Sequence, residues 1–188
     1  MTNETKVAFA NALKRMISCK PLENITISDL AGICGVNRQT FYYHFHDIYE
    51  LIEWVYTTEA GRAMGDNVCA ERWPEAVRCL LEYLKENREF VKATTNSISM
   101  EYMQRFLYTV TRRLLLNVVD ECSYGYTVTD ENREFVANFY KFAFVGVVVD
   151  WARSGMRHAP EVVAGKLEKM IKGNIRRAVI RLSAAEAE

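Results

Sequence analysis

Apolar residues recur every three or four positions along most of this chain, the spacing of helices with one buried side. Phe9, Leu13 and Ile17 start the pattern and predict a helix over residues 3–19. A second long helix is expected from Asp47 toward Gly65. Val77, Leu80, Leu81 and Leu84 predict one that begins at Pro74 and breaks at Asn87, before Phe90 and Val91. Met100, Met103, Phe106, Leu107, Val110 and Leu114 form the stripe of a helix over 99–122. Two more are expected over 130–154 and 159–182, the last with Val163, Leu167, Met170, Ile171, Ile175 and Val179 inward. Residues 66–73 and 123–129 read as loops, and the tail 183–188 as frayed. Pro21, Pro74 and Pro160 fall at helix starts or connections. The fold class is all-α, without internal repeats or low-complexity segments.

The helix over 130–154 has more apolar surface than one side can hold. Phe135, Phe139, Phe142, Val145, Gly146 and Val149 make a wide face, and Phe144 and Val148 lie off it. A helix apolar on two sides is either central in its domain or part of a subunit interface.

The stretch from Thr26 to His46 differs from the rest. It reads as two short helices joined by a tight turn. Thr26 followed by Asp29 is a variant of the capping box. Leu30 and Ala31 supply a buried face. Gly35 stands where the first helix stops and the chain reverses, a place that favours positive φ. Val36 plugs the turn, and Asn37 caps a second helix that begins at Arg38. Phe41 and Phe45, four apart, anchor that helix inward. Its other face carries Arg38, Gln39, Tyr42 and Tyr43, with Thr40 and His44 at the edges. Such side chains bond phosphates and base edges, which is the layout of a helix-turn-helix that enters the DNA major groove.

These residues resemble the DNA-binding domain of TetR-family transcriptional regulators. The resemblance covers about the first fifty residues: Phe9, Leu13, Ile17, Ile25-Thr26-Ile27, Leu30-Ala31, Gly35-Val36-Asn37 and Thr40 through Phe45, continuing into Asp47 to Leu51. The run RQTFYYHFHDIYELIEW and the later FVGVVVDWARSGM resemble the branch that regulates dihydroxyacetone kinase operons. The resemblance implies a three-helix reading head over 1–46 and a helical body over 47–188 that senses an input and dimerises. It implies that Thr26 and Ser28 lie near a phosphate or the groove edge, and that Arg38, Gln39 and Thr40 open the recognition helix. Arg38 would read guanine and Gln39 adenine. Tyr42 would hold a phosphate, Tyr43 would touch a thymine methyl, and His44 would sit at the groove or the phosphate. The family often has a lysine where this chain has Ile48; helix-terminal N–H groups remain there to receive a phosphate. The helices over 130–154 and 159–182 would pair with their copies across a two-fold axis.

The 188 residues are enough to bury a good core, and the formal net charge is zero. In the first fifty residues Lys6, Lys14, Arg15, Lys20 and Arg38 face Glu4, Glu23, Asp29, Asp47 and Glu50, so this half is not basic. That predicts weak non-specific DNA binding and a modest salt dependence. Lys166, Lys169, Lys172, Arg176, Arg177 and Arg181 read as the solvated side of an amphipathic helix. The cysteines Cys19, Cys34, Cys69, Cys79 and Cys122 show no CxxC spacing, and Cys19 and Cys34 read as core fillers. Neither a metal nor another cofactor is expected. No signal peptide or membrane-length apolar run is read, which points to a cytoplasmic protein. His44, His46 and His158 lack a hydrolase signature, so no enzyme is expected.

The family resemblance implies an effector pocket. Tyr83, Phe90, Met100, Met103, Phe106, Phe139 and Phe142 are its candidates, with plain core as the other reading; Trp54 and Trp151 carry the same ambiguity. The expected partners are double-stranded operator DNA, a second copy of the chain, and an unknown small-molecule effector or protein. A helical ligand- or partner-binding protein without operator binding remains the alternative.

Overall fold

The computed structural model describes residues 2–65, 72–95, 100–171 and 173–184. The described residues contain helices and connections and no strand. Helix α1 spans Thr2–Ile17, and a short turn at Leu22–Asn24 leads to α2, Ile27–Ile33, and α3, Arg38–His44. Helix α4, Ile48–Val55, passes through a π-helical turn, Tyr56–Ala60, into α5, Gly61–Met64. Helices α6, Trp73–Glu86, and α7, Arg88–Thr95, meet at Asn87. Then come α8, Met100–Cys122, and α9, Asp130–Arg153, which pack along each other. Helices α10, Pro160–Ile171, and α11, Asn174–Ala184, end the chain.

Local chemistry explains most boundaries. Asp47 caps α4, its carboxylate accepting from the Glu50 N–H at 2.8 Å. Thr129 caps α9 through the Asn132 N–H at 3.2 Å. Pro74 sits in the first turn of α6, where its missing N–H costs nothing. The last expected helix is in fact two. Gly173 adopts φ 84, a conformation outside the helix, so the chain turns between α10 and α11. The apolar spacing continues across that break, which is why periodicity alone joins them.

One continuous core runs through the molecule, from Phe9, Leu13, Phe41 and Phe45 near the N-terminus to Val163, Ile171 and Val179 near the end. Helix α1 packs on α2, α3, α4 and α7, so it is the element that ties the first three helices to the rest. Each large side chain fully buried there contributes about 1.5–3 kcal/mol. Lys14 of α1 adds a polar tie. Its ammonium bonds Glu59 in the π-helical turn and the Asn87 side chain at 2.8 Å, and it lies over the rings of Tyr83 and Phe90. Tyr83 donates to the same Glu59 carboxylate at 3.1 Å. Beside them Tyr56 is fully buried, hydrogen-bonded to the Thr94 hydroxyl at 2.5 Å. Burial pushes the Tyr56 and Tyr83 phenols well above their ordinary range, so both stay neutral.

Helix α9 buries only one of its two apolar sides within the protomer. Phe144 and Val148 are buried, together with Val136, Ala137, Val145, Val149, Trp151 and Ala152. Phe135, Phe139 and Phe142 are 63%, 63% and 57% exposed. The main face is thus split: Val145 and Val149 turn inward with Phe144 and Val148, the two residues expected to lie off it, while the phenylalanine stripe looks out of the protomer. By length and composition α9 could also cross a membrane, contrary to expectation, with 44% of its apolar window buried here. Its inward half packs on α7, α8 and α11, as a core helix does. Met170, expected inward, is 65% exposed, because Val163, Leu167 and Ile171 take the inner side of α10.

The cysteines also correct an expectation. Cys19 is exposed and fills no core, whereas Cys34 is half-buried and packs against the core; Cys79 and Cys122 are free thiols as well, and Cys69 lies outside the described residues. Burial raises the Cys34 thiol's pKa. No cluster of potential metal ligands exists among the described residues. Lys166, Lys169, Arg176, Arg177 and Arg181 are exposed, the solvated side expected of them, and Lys172 lies outside the described residues.

Candidate nucleic-acid interface

The turn between α2 and α3 is built by backbone bonds that the sequence dictates. Gly35 takes φ 66, which lets Val36 N–H reach back to the Ala31 carbonyl at 3.0 Å. Thr26 closes the other end of α2. Its hydroxyl accepts from the Asp29 N–H at 3.2 Å, while the Asp29 carboxylate accepts from Thr26 N–H at 2.9 Å. Lys20 donates to the same carboxylate at 2.7 Å, and these bonds hold the Asp29 carboxyl at about 2. Asn37 caps α3 by accepting from Thr40 N–H at 2.9 Å.

Helix α3 is thereby fixed with two unlike sides. Phe41 is fully buried with its ring edge-on to Phe9 at 5.1 Å, and Phe45 is buried behind it. Lys6 lies over the Phe45 ring at 5.2 Å. On the other side Arg38, Gln39, Tyr42 and Tyr43 are exposed, Tyr43 to 79%. Arg38 donates to the Tyr42 oxygen at 3.3 Å, which leaves the Tyr42 O–H free to donate outward. His44 is half-buried and meets Tyr43 edge-on at 5.1 Å.

The remaining expected residues are placed less uniformly. Ser28 is exposed on the first turn of α2. Thr26 and Thr40 are near the same surface, but each hydroxyl donates inward, to Asp29 at 2.8 Å and to Asn37 at 3.1 Å. Neither has a proton left for a phosphate in this arrangement. At the start of α4 the terminus expected to receive a phosphate holds two carboxylates instead. Asp47 bonds the Glu50 N–H, and Glu50 accepts from His46 N–H at 2.6 Å. Those charges repel a phosphate where the sequence already lacks a lysine.

The effector candidates do not come together. Tyr83, Phe90, Met103 and Phe106 are buried members of the core, Met100 is half-buried beside it, and Phe139 and Phe142 lie exposed on the α9 stripe. Phe90 and Phe106 pack on Tyr56, with ring centroids 5.2 and 6.0 Å away. Trp151 is core too, its indole N–H donating to the His158 carbonyl at 3.0 Å. Trp54 is half-buried against Phe45. Sequence reasoning missed the Lys14–Glu59–Tyr83–Asn87 cluster, whose members lie far apart in the chain and carry no local signal.

A capped, glycine-turned helix pair that presents a polar helix from an aromatic core defines a helix-turn-helix protein, and the rest of the chain is a helical body. A family model described as bacterial regulatory proteins of the tetR family matches residues 11–55, and one described as a transcriptional regulator C-terminal region matches 71–173. The chain belongs to the tetR family of transcriptional regulators. Among curated proteins, the HTH-type dhaKLM operon transcriptional activator DhaS of Lactococcus lactis is 30% identical over 86 residues, 46% of this chain and 46% of that protein. The match thus spans about half the length of that relative. Among solved structures, the dihydroxyacetone kinase operon activator DhaS superposes with a TM-score of 0.73 at 21% identity, covering 92% of this chain and 97% of that one. A TetR transcriptional regulator from Streptococcus agalactiae gives 0.60 at 21% identity, covering 90% and 94%. At these identities the two structures establish the fold.

Proposed function

We propose that the protein is a homodimeric, cytoplasmic regulator in which residues 1–46 read double-stranded operator DNA and residues 47–188 dimerise and sense an input. The observation that carries this reading is the exposed face of α3, with Arg38, Gln39, Tyr42 and Tyr43 outward and Phe41 and Phe45 buried behind them. Arg38 reads guanine, Gln39 adenine, Tyr43 touches a thymine methyl and Tyr42 donates to a phosphate. Ser28 and His44 contact the backbone at the edges. Thr26 and Thr40 act through the caps they form, holding the two helices at the angle the groove needs.

Two such heads must meet successive major grooves, about 34 Å apart, which calls for a two-fold dimer. The exposed phenylalanine stripe of α9 is the apolar surface that a second copy would cover, joined by the exposed side of α10. The input, a small molecule or a protein, acts by favouring one packing of the body over another, and α4 passes the difference to the head. The protein works without a cofactor, without catalysis and without a membrane. The operon it governs follows from its relatives only by analogy, as a dihydroxyacetone kinase operon.

The test is a mobility-shift titration on promoter-proximal DNA from the protein's own locus, with competitor DNA, at two salt concentrations. A selective shift is expected, and Arg38→Ala should weaken it by about 1–3 kcal/mol while leaving the dimer intact. An unselective shift, or an unchanged affinity in Arg38→Ala, would overturn the assignment.

A further inference from the structure

A groove of about 400 Å³ opens between the α4–α5 run and α8. The volume suits a small molecule. One wall is a stripe on α8 formed by Arg105, Thr109 and Arg113, four residues apart and so on one side of the helix. From first to last they span about 12 Å along the axis. The floor is apolar, made by Phe106, Met64 and Val110. The facing wall belongs to the run that leaves the reading head: Glu53, Thr57 and Gly61.

Among the described lining residues the charges do not cancel: Arg105 and Arg113 face one acid, Glu53. Arg105 is engaged, 3.6 Å from both Glu53 and Glu101 and stacked over the Tyr102 ring. That contact offsets Glu53, the acid in the lining. Arg113 is exposed and has no acidic partner among the described residues. A guanidinium without an acidic partner among the described residues therefore stands at one end of an apolar floor. Its planar fork suits a carboxylate or a phosphate.

A lone arginine is ordinarily a solvated side chain. Gly61 makes this one different. It has helical backbone angles, φ −59 and ψ −43, yet a Cβ built there meets nothing within 4 Å. Glycine within a helical run is destabilising relative to alanine, and neither the backbone nor a packed neighbour demands it here. What its missing side chain leaves open is the groove.

We propose that this groove binds an amphipathic anion, a small molecule with a carboxylate or phosphate head held by Arg113 and an apolar body laid over Phe106 and Met64. The inference rests on the regulator reading above and names the chemistry of its input. A molecule seated there bridges α8 to the run that begins at the reading head, so it favours one position of that run over others.

The test is calorimetric titration of the full chain with octanoate, octyl phosphate and neutral 1-octanol. Either anion should bind at least about tenfold more tightly than the alcohol, and the two anion arms tell a carboxylate from a phosphate ligand. Arg113→Gln should erase the preference for the anions with the thermal melt unchanged. Gly61→Leu should abolish binding of all three probes while the helical spectrum is kept. Arg176→Gln, on α11 outside the groove, should bind as the parent does. Octanol binding as tightly as the anions, no binding of either anion, or an Arg113→Gln variant with the parent's anion affinity would each overturn the site. The operator shift in the same samples separates the two readings. DNA binding without anion binding removes the site alone, and anion binding without DNA binding removes the regulator.

Discussion

Helices α3 and α9 both expose aromatic rings, and the rings differ in kind. On α3 the bare rings of Phe41 and Phe45 are inside, and the phenols of Tyr42 and Tyr43 are outside. On α9 bare rings point both ways: Phe144 inward, and Phe135, Phe139 and Phe142 outward. A phenol combines an apolar body with a polar tip and tolerates a wet, charged surface. A row of bare phenyl rings is costly in water until something dry covers it. Exposure is thus the same observation in both helices, yet it argues for a polyanion at α3 and for a second apolar surface at α9.

The most forceful way to break this contrast is a charge in the α9 row. Phe139→Asp should weaken the dimer by about 2–4 kcal/mol, at least thirtyfold, and halve the mass measured by light scattering at micromolar concentration. Operator affinity should fall with it, since two heads on separate chains lose their tether. A dimer that survives the change would mean that another surface covers the pair.

Next in size is the tie between α1 and the π-helical turn, which holds the reading head to the body that carries α9. Lys14 and Glu59 are about one-fifth and one-quarter exposed, so removing one partner leaves a half-buried charge unanswered. Lys14→Met or Glu59→Gln should cost about 1.5–3 kcal/mol in a denaturant melt. The double change Lys14→Met with Glu59→Gln should cost less than the sum of the two single changes, and a double mutant as unstable as that sum would show no coupling.

The tyrosines sharpen the α3 side. Tyr42→Phe should weaken operator binding by about 1–2 kcal/mol, because its outward O–H is lost, and Tyr43→Phe should stay within about 0.5 kcal/mol, since a ring contact needs no hydroxyl. Equal losses in a mobility-shift titration would reverse the division of labour proposed for them.

The smallest effect is a pH dependence at the α2 cap. Asp29 has its carboxyl held at about 2, below its ordinary 3.8, through Lys20 first and Thr26 second. A lowered carboxyl stabilises the fold above about pH 4, and that contribution fades as the pH falls toward about 2. The difference in urea midpoint between the parent and Asp29→Asn should therefore be largest near pH 5 and close by pH 2. A gap that stays constant would mean that the carboxylate's charge does not matter to the cap.

Legibility in the sequence divides along the same line. Thr26, Asp29, Gly35 and Asn37 act on neighbours within a few residues, so residue type and local spacing are enough to assign their roles. The donors on Thr26 and Thr40 are legible in principle too: a hydroxyl that closes a cap has its proton committed. Helix α9 cannot be read in this way. Periodicity shows that it has two apolar sides and gives no means of choosing which one its own core takes. Gly173 is hidden for a related reason, because Ile171, Ile175 and Val179 keep helical spacing across the break. The Lys14 cluster and the groove that Arg113 and Gly61 both line join positions that only the folded chain brings together.

The π-helical turn at Tyr56–Ala60 holds about one residue more than an α-helical turn would, so it acts as a one-residue insertion fixed inside a continuous run. The extra residue lets Tyr56 reach Thr94 while Glu59, close behind it, reaches Lys14. Deleting a residue there would rotate α4 by about 100° against α5. Leu51, Ile52 and Val55, all fully buried, would leave the core, or Glu59 would leave Lys14. The run is therefore constrained by length more tightly than by composition: a substitution in it is a local change, but a deletion re-aims the head.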